Sequence, residues 1–442
     1  MYKVCVLLTI SWLALTSATV QASNAREDID RAKTLIASGQ YSLARTYLAP
    51  ALVAPYLPSS ERSRAYYFQG FTYAAENMPV SARKDFNRAL EFNDANPAAL
   101  VALGRLHAGG RGTEKNAVLA VELFTKAANL EFLPGQFHLG YAYLMGEGVD
   151  KDLLRARDIL GQAATQGEVF AMMSLAASYR VEHAINPAPE LAEHWYQRAS
   201  EAGEPKALLA LAYMYEHGEV GEPDLDRAMA LLQQAAEQGV SRAHVSLGWA
   251  YLSGRGVAQD YEKAYTAYRT AANAKEMSAY VGLGHLYEHG LGVAQDMVQA
   301  IDWYRRAAEL DDVGAQLRLA MVYFRQSTAE SRRRAVYWTR LAADSGDAQA
   351  QNDYAWMLAT SRFDNVRNGT LALDQAEQAV ASQPTASFLD TLAAAYAETG
   401  NFERAVEVQQ QALATLTTAQ ADLRGELEMR LKYYLRSEPW RE

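Results

Sequence analysis

Apolar residues recur along this chain on two scales. Over short stretches they fall three or four positions apart, the stripe of an amphipathic helix. Over longer ones the same stripe returns every 36 residues. Leu103, Leu139, Leu175, Leu211, Leu247, Leu283 and Leu319 mark that period, and Tyr143, Tyr179, Tyr215, Tyr251, Tyr287 and Tyr323 keep the same register. So do Ala120, Ala156, Ala192, Ala228, Ala264 and Ala300. A period of this length marks a repeat array. One unit displays its physics. Leu139 and Tyr143, four apart, share a helix face, and Gly140 between them lets a neighbouring helix approach closely. Gly146 and Gly148 stop the helix, because glycine accepts the positive φ of a C-terminal cap. Asp152 suits the start of the next helix, which Ala156, Leu160, Ala163 and Ala164 line and Gly167 ends. Each unit is therefore predicted to be a helix hairpin. Alone it cannot bury its apolar faces, so the hairpins must stack.

The fullest unit reads Leu283-Gly284, Tyr287, Gly290, Gly292-Val293, Asp296, Ala300, Trp303-Tyr304 and Ala307-Ala308. This pattern resembles the Sel-one-like repeat (SLR) family, a relative of the tetratricopeptide repeat (TPR). Units starting near 136, 244 and 280 match almost fully. The unit near 172 carries Glu182 and Ala184 where loop glycines belong, and the unit near 316 lacks both glycines and is one residue short. Tyr66, Gly70, Tyr73, Ala82, Phe86 and Ala89 resemble an ordinary TPR, as do Leu389, Leu392, Tyr396, Gly400, Ala405 and Ala412. Ala32 to Leu48 reads as a degenerate first unit, and Asn352 to Val380 as a hairpin with a longer loop. The resemblance implies an all-α fold, a right-handed superhelical solenoid of stacked hairpins. Its parts would be TPR-like hairpins over 23–97, an SLR array over 98–350, and TPR-like hairpins with a cap over 351–442.

The first 22 residues read differently. Lys3 gives a positive start, Val4 to Ala18 is mostly apolar, and Val20-Gln21-Ala22 has small residues at the −3 and −1 positions of a cleavage site. This is the pattern of a secretory signal peptide, with Ser23 as the mature start. The competing reading, a retained anchor, needs a longer apolar run of about 20 residues. Cys5 is the sole cysteine and lies inside that segment, so the mature chain is expected to hold no disulfide and no thiol chemistry. The expected location is the periplasm. A net charge of −10 argues against a nucleic-acid partner and against docking on anionic lipid.

Candidate chemistry is sparse. His285-Leu286-Tyr287-Glu288-His289 spells the His-x-x-Glu-His order of inverted zinc peptidases, but Tyr287 and the following Gly290 are repeat positions. Leu211 to Gly218 ends in the same Glu-His-Gly without the first histidine. The stretch is read as repeat sequence, and neither metal nor cofactor is expected. Gly109-Gly110-Arg111-Gly112 follows no strand and reads as a helix cap rather than a phosphate cradle. Arg332-Arg333-Arg334 reads as a solvated helix face. Cysteine-rich SLR proteins credited with binding β-lactams offer a remote hydrolase alternative; the mature chain lacks those cysteines, and no Ser-x-x-Lys nucleophile stands out.

The expected function is binding of a protein partner, with assembly of an envelope or exopolysaccharide-export machine as the alternative. In TPR-like hairpins the first helix lines the concave side. The residue two after the signature leucine should point away from the packed seam. That column is Arg105, Tyr141, Ala177, Tyr213, Trp249, His285 and Met321, and a second, one turn on, includes Arg180, Glu216 and Glu288. Tyr, Trp and Arg are the usual interface anchors. The sites expected to hold the partner are Tyr141, Arg180, Tyr213, Glu216, Trp249, His285 and Glu288. Tyr251, a signature position, is expected in the core.

Overall fold

The computed structural model describes residues 22–180, 186–326, 328–416 and 421–442. The signal-like segment before residue 22, and Glu182 and Ala184, lie outside them. Among the described residues every regular element is a helix. α1 spans 22–37. Three helices and the first hairpin of the array follow: α2 (Tyr41–Val53), α3 (Ser59–Ala75), α4 (Pro79–Phe92), α5 (Pro97–Gly109) and α6 (Ala117–Asn129). Next come α7 (Leu133–Met145), α8 (Leu153–Thr165), α9 (Val169–Tyr179), α10 (Pro189–Glu201), α11 (Lys206–Glu216) and α12 (Leu225–Glu237). Then α13 (Ser241–Ser253), α14 (Tyr261–Asn273), α15 (Met277–His289), α16 (Met297–Ala308), α17 (Val313–Arg325) and α18 (Ala329–Asp344). The chain finishes with α19 (Ala348–Thr360), α20 (Gly369–Ser382), α21 (Ala386–Glu398), α22 (Phe402–Thr415) and α23 (Ala421–Tyr434). Consecutive helices pack as hairpins, for example α5 on α6, α7 on α8 and α15 on α16. The helices gather into two compact units, Met1–Leu231 and Leu232–Glu442.

In the first unit, α1 and α2 close around Ala25, Ile29, Ala32, Ala44 and Leu48, the degenerate repeat. The regular hairpins follow. Asn116 and Asp152 cap the second helices, each accepting from the backbone N–H three residues on, at 2.9 and 3.0 Å. The signature glycine is there for packing: a Cβ on Gly140 would lie 2.7 Å from Leu160, and one on Gly104 2.5 Å from Phe124. The second loop glycine has another reason. Gly148, at φ +76°, is pressed against the hairpin before it, and a Cβ there would meet the Ala117 carbonyl at 2.3 Å.

The signature tyrosines sit under cations. Arg155 lies 4.4 Å from the Tyr143 ring centroid, Arg157 4.1 Å from Tyr179 and Arg227 4.0 Å from Tyr215. Tyr215 also donates to Glu193 of the preceding second helix. These rings therefore seal the seam between hairpins, and their burial varies with what covers them.

The second unit repeats the design. A Cβ on Gly284 would sit 2.5 Å from Tyr304, and Asp260 and Asp296 cap α14 and α16. Tyr251 departs from expectation: it is half-buried under Lys263 at 5.5 Å rather than a core ring, whereas Tyr323 is buried. The short repeat without glycines ends α17 through Gln326 and starts α18 early, on a Thr328–Ser331 capping box. Arg332 is a second correction. It is 5% exposed, stacked 3.4 Å from the Phe324 ring centroid and paired with Glu442 at 3.3 Å. Of the three arginines, Arg333 and Arg334 are the solvated ones, both on Glu330. Between α19 and α20 the long loop is pinned by Asn368 N–H to the Leu358 carbonyl at 3.1 Å and by Arg367 to Glu398 at 3.1 Å.

The last residues are tied down. Glu442 N–H donates to the Thr360 carbonyl at 3.0 Å, its carboxylate accepts from Trp356 Nε1 at 2.5 Å, and Arg441 pairs with Glu398 at 2.5 Å. Beneath them Asp390 is buried with Arg430 at 2.5 Å and Gln409 at 2.7 Å. Burial pushes the Asp390 carboxyl up, and Arg430 opposes the shift.

Candidate partner-binding surface

In a helix, a residue two after a buried leucine lies on the far side of the cylinder. The column accordingly faces water. Tyr141 is 38% exposed, Tyr213 39%, Trp249 44% and Met321 53%, while Leu139, Leu211, Leu247 and Leu319 are buried. Arg105 is exposed, and Ala177 and His285 are half-buried.

In the first unit the side chains around this column differ from a plain ladder. Tyr141 lies 6.0 Å from Phe137, which lies 5.9 Å from Phe170, so an aromatic cluster surrounds it. Arg105, Tyr141 and Glu147 also line a cavity of about 200 Å³, with Phe124 and His138 in its wall. Burial, aided by the charge of Arg105, lowers the His138 pKa to about 4. Tyr213 is stacked on His217 at 3.9 Å and carries Arg180 over its ring at 4.7 Å. The structure thus brings Arg180 and Tyr213 together. Arg180 is mainly committed to Glu219, through two hydrogen bonds of 2.9 and 2.5 Å. Glu216 is half-buried. Phe71, 40% exposed, extends the column by one hairpin. The register of Gly70 and Gly104, 34 residues apart, sets Phe71 level with Arg105.

In the second unit Arg255 lies over the Trp249 ring at 5.6 Å. His285 and His289 meet edge to face at 4.5 Å. Burial lowers the His285 pKa, and His289 and Arg318 add to the shift. Glu288 is a correction: it is 8% exposed and turned inward, accepting from Tyr304 Oη at 2.9 Å and Arg325 at 3.1 Å. A carboxylate so engaged is a packing group. Burial first, and Glu288 second, push the Tyr304 hydroxyl up. Among the described residues no three His, Cys, Asp or Glu side chains are placed to share a metal ion. Ser81-Ala82-Arg83-Lys84 does spell Ser-x-x-Lys, a match the sequence reading passed over; it lies in α4, with Lys84 open to water.

The column ends at a residue the sequence reading missed. Because the repeat before it is one residue short, the position after Met321 is Trp356 rather than Met357. Trp356 is half-buried under the chain's own tail.

Stacked hairpins with an exposed first-helix column define a helical-repeat scaffold. The chain belongs to the Sel1 repeat family: seven Sel1 repeats match residues 97–132, 133–168, 169–204, 205–240, 241–275, 278–312 and 313–347. Such arrays are generally non-catalytic. The structure resembles that of c5321, a protective antigen of uropathogenic Escherichia coli strains with an SLR fold. The TM-score is 0.51 at 25% identity, over 96% of each chain. A Sel1 repeat protein from Oxalobacter formigenes matches at 28% identity and TM-score 0.47, over 55% of this chain and 96% of its own. No curated protein matches significantly. Among the described residues no helix is long and apolar enough to cross a membrane.

Proposed function

We propose that this chain is a periplasmic scaffold that captures a protein partner on the first-helix faces of its repeats. The observation that carries the reading is the outward column of Phe71, Tyr141, Tyr213, Trp249 and Met321, large side chains held in water by a fold that buries the leucine two positions before each array member. Tyr141 and Tyr213 touch neighbouring rings, and Arg180 and Arg255 lie over Tyr213 and Trp249. All three aromatics still keep more than a third of their surface in water, and rigid aromatic side chains are what interfaces favour. The signal-like start supports export.

Two experiments test this. Osmotic shock should release a protein whose intact mass begins at Ser23; a retained Met1, or fractionation with the cytosol, would overturn the location. Crosslinked capture from envelope extracts should weaken in Trp249→Ala and Tyr213→Ala. Undiminished capture by both variants would place the partner elsewhere.

A further inference from the structure

The last residues of the chain show what a first-helix face can hold. Trp356 stands in the same column as Trp249, and on it lies a non-helical segment, Trp440-Arg441-Glu442. Ion pairs of Glu442 with the buried Arg332 at 3.3 Å and of Arg441 with Glu398 at 2.5 Å fasten the segment, and three further features mark the site. The segment's main chain reaches the end of the helix, with Glu442 N–H on the Thr360 carbonyl at 3.0 Å. Its carboxylate takes the indole Nε1–H of Trp356 at 2.5 Å. Arg430 lies 4.8 Å from the indole centroid, keeping a cation over the ring. Carbonyls in the last turn of a helix lack intrahelical partners, so they are natural docking points for an incoming N–H. A hydrogen bond with one ionised partner is among the stronger kinds.

Trp249 repeats the indole, the overlying cation and the helix end of this arrangement, while Leu225 holds the register position of Arg332. Its indole is exposed, Arg255 lies over it at 5.6 Å, and Ser253, four residues on, holds the place of Thr360. Even the neighbouring carbonyl corresponds. Ala359 O accepts from the Arg441 side chain at 3.2 Å, and Leu252 O accepts from Gln259 Nε2 at 2.8 Å.

We propose that the Trp249 site takes a peptide segment of the partner, with a Glu or Asp carboxylate on the indole N–H, as the tail's Glu442 is held on Trp356. This rests on the first-helix column being the partner face, and it adds the partner's chemistry.

The test uses the full chain, whose own tail already fills the Trp356 position, and the labelled peptide Ser-Glu-Pro-Trp-Arg-Glu added in trans. Fluorescence anisotropy should show saturable binding that weakens roughly tenfold, about 1.4 kcal/mol, in Trp249→Phe, which keeps a ring and removes the N–H. Changing the peptide's last Glu to Gln should cost the same, and the two changes together little more than either alone. No saturable binding, or binding indifferent to both changes, overturns the proposal. If envelope capture still depends on Trp249 while Trp249→Phe captures as well as the parent, the partner face stands and the carboxylate reading alone falls. A Trp249→Phe melting temperature equal to the parent's shows that the loss is one of recognition.

Discussion

At the scale of single residues, the first-helix column separates binding groups from supporting ones. Trp249 is nearly half exposed and Tyr323 only 4% exposed, though both are aromatic residues of a first helix. Trp249→Ala is expected to cost no more than about 1–2 kcal/mol, against about 3 kcal/mol or more for Tyr323→Ala. Urea unfolding of the two variants checks the difference; equal losses would mean that Trp249 is itself a packing residue. His138 gives a second prediction. Its pKa falls from 6.5 to about 4 on folding, through burial and Arg105. The unfolded chain therefore binds the extra proton first as pH drops. Stability is lost between about pH 6.5 and 4, by at most about 2–3 kcal/mol from this residue. His138→Phe, which can keep the stack on Phe124, should flatten that part of the melting-temperature profile; an unchanged profile would refute the assignment.

At the scale of elements, much is legible in the sequence alone. Leucine and tyrosine four apart, paired glycines and an Asp or Asn before the next apolar run mark a helix, a stop and a start by local chemistry. Three things escape that reading, for a common reason. The burial of Tyr251 and of Glu288 depends on which side chain the neighbouring helix supplies: Lys263 in one case, Tyr304 and Arg325 in the other. Arg332 turns inward because Glu442, 110 positions away in the chain, neutralises it. The period reveals where a residue points and leaves open what it meets. Two element-scale predictions follow from geometry. Gly284→Ala should destabilise by about 1–3 kcal/mol, since its Cβ would stand 2.5 Å from Tyr304. Lys275 holds a left-handed turn at φ +65°, where other repeats place Gly167, Gly203 and Gly239. Lys275→Gly should therefore stabilise by a few tenths to about 1 kcal/mol. Calorimetry on both variants tests the two signs.

At the scale of the molecule, the tail fastens the last hairpins. Glu442 reaches α18 through Arg332 and α19 through Trp356 and Thr360, and Arg441 reaches α21 through Glu398. Removing residues 439–442 would leave Arg332 buried without its counter-charge, a loss on the order of 3 kcal/mol. A melting temperature unmoved by that truncation would show the tail to be an ornament of the fold. The loop glycines set a different kind of rule. Gly148 and Gly292 each touch the backbone 31 residues earlier, at Ala117 and Tyr261. A contact that recurs between successive hairpins survives the loss or duplication of one whole module, and Gly112 shows it tolerating a stride two residues longer, onto Pro79. A cut inside a hairpin removes one partner of the contact, so the array can lengthen or shorten hairpin by hairpin while its loops absorb a residue or two.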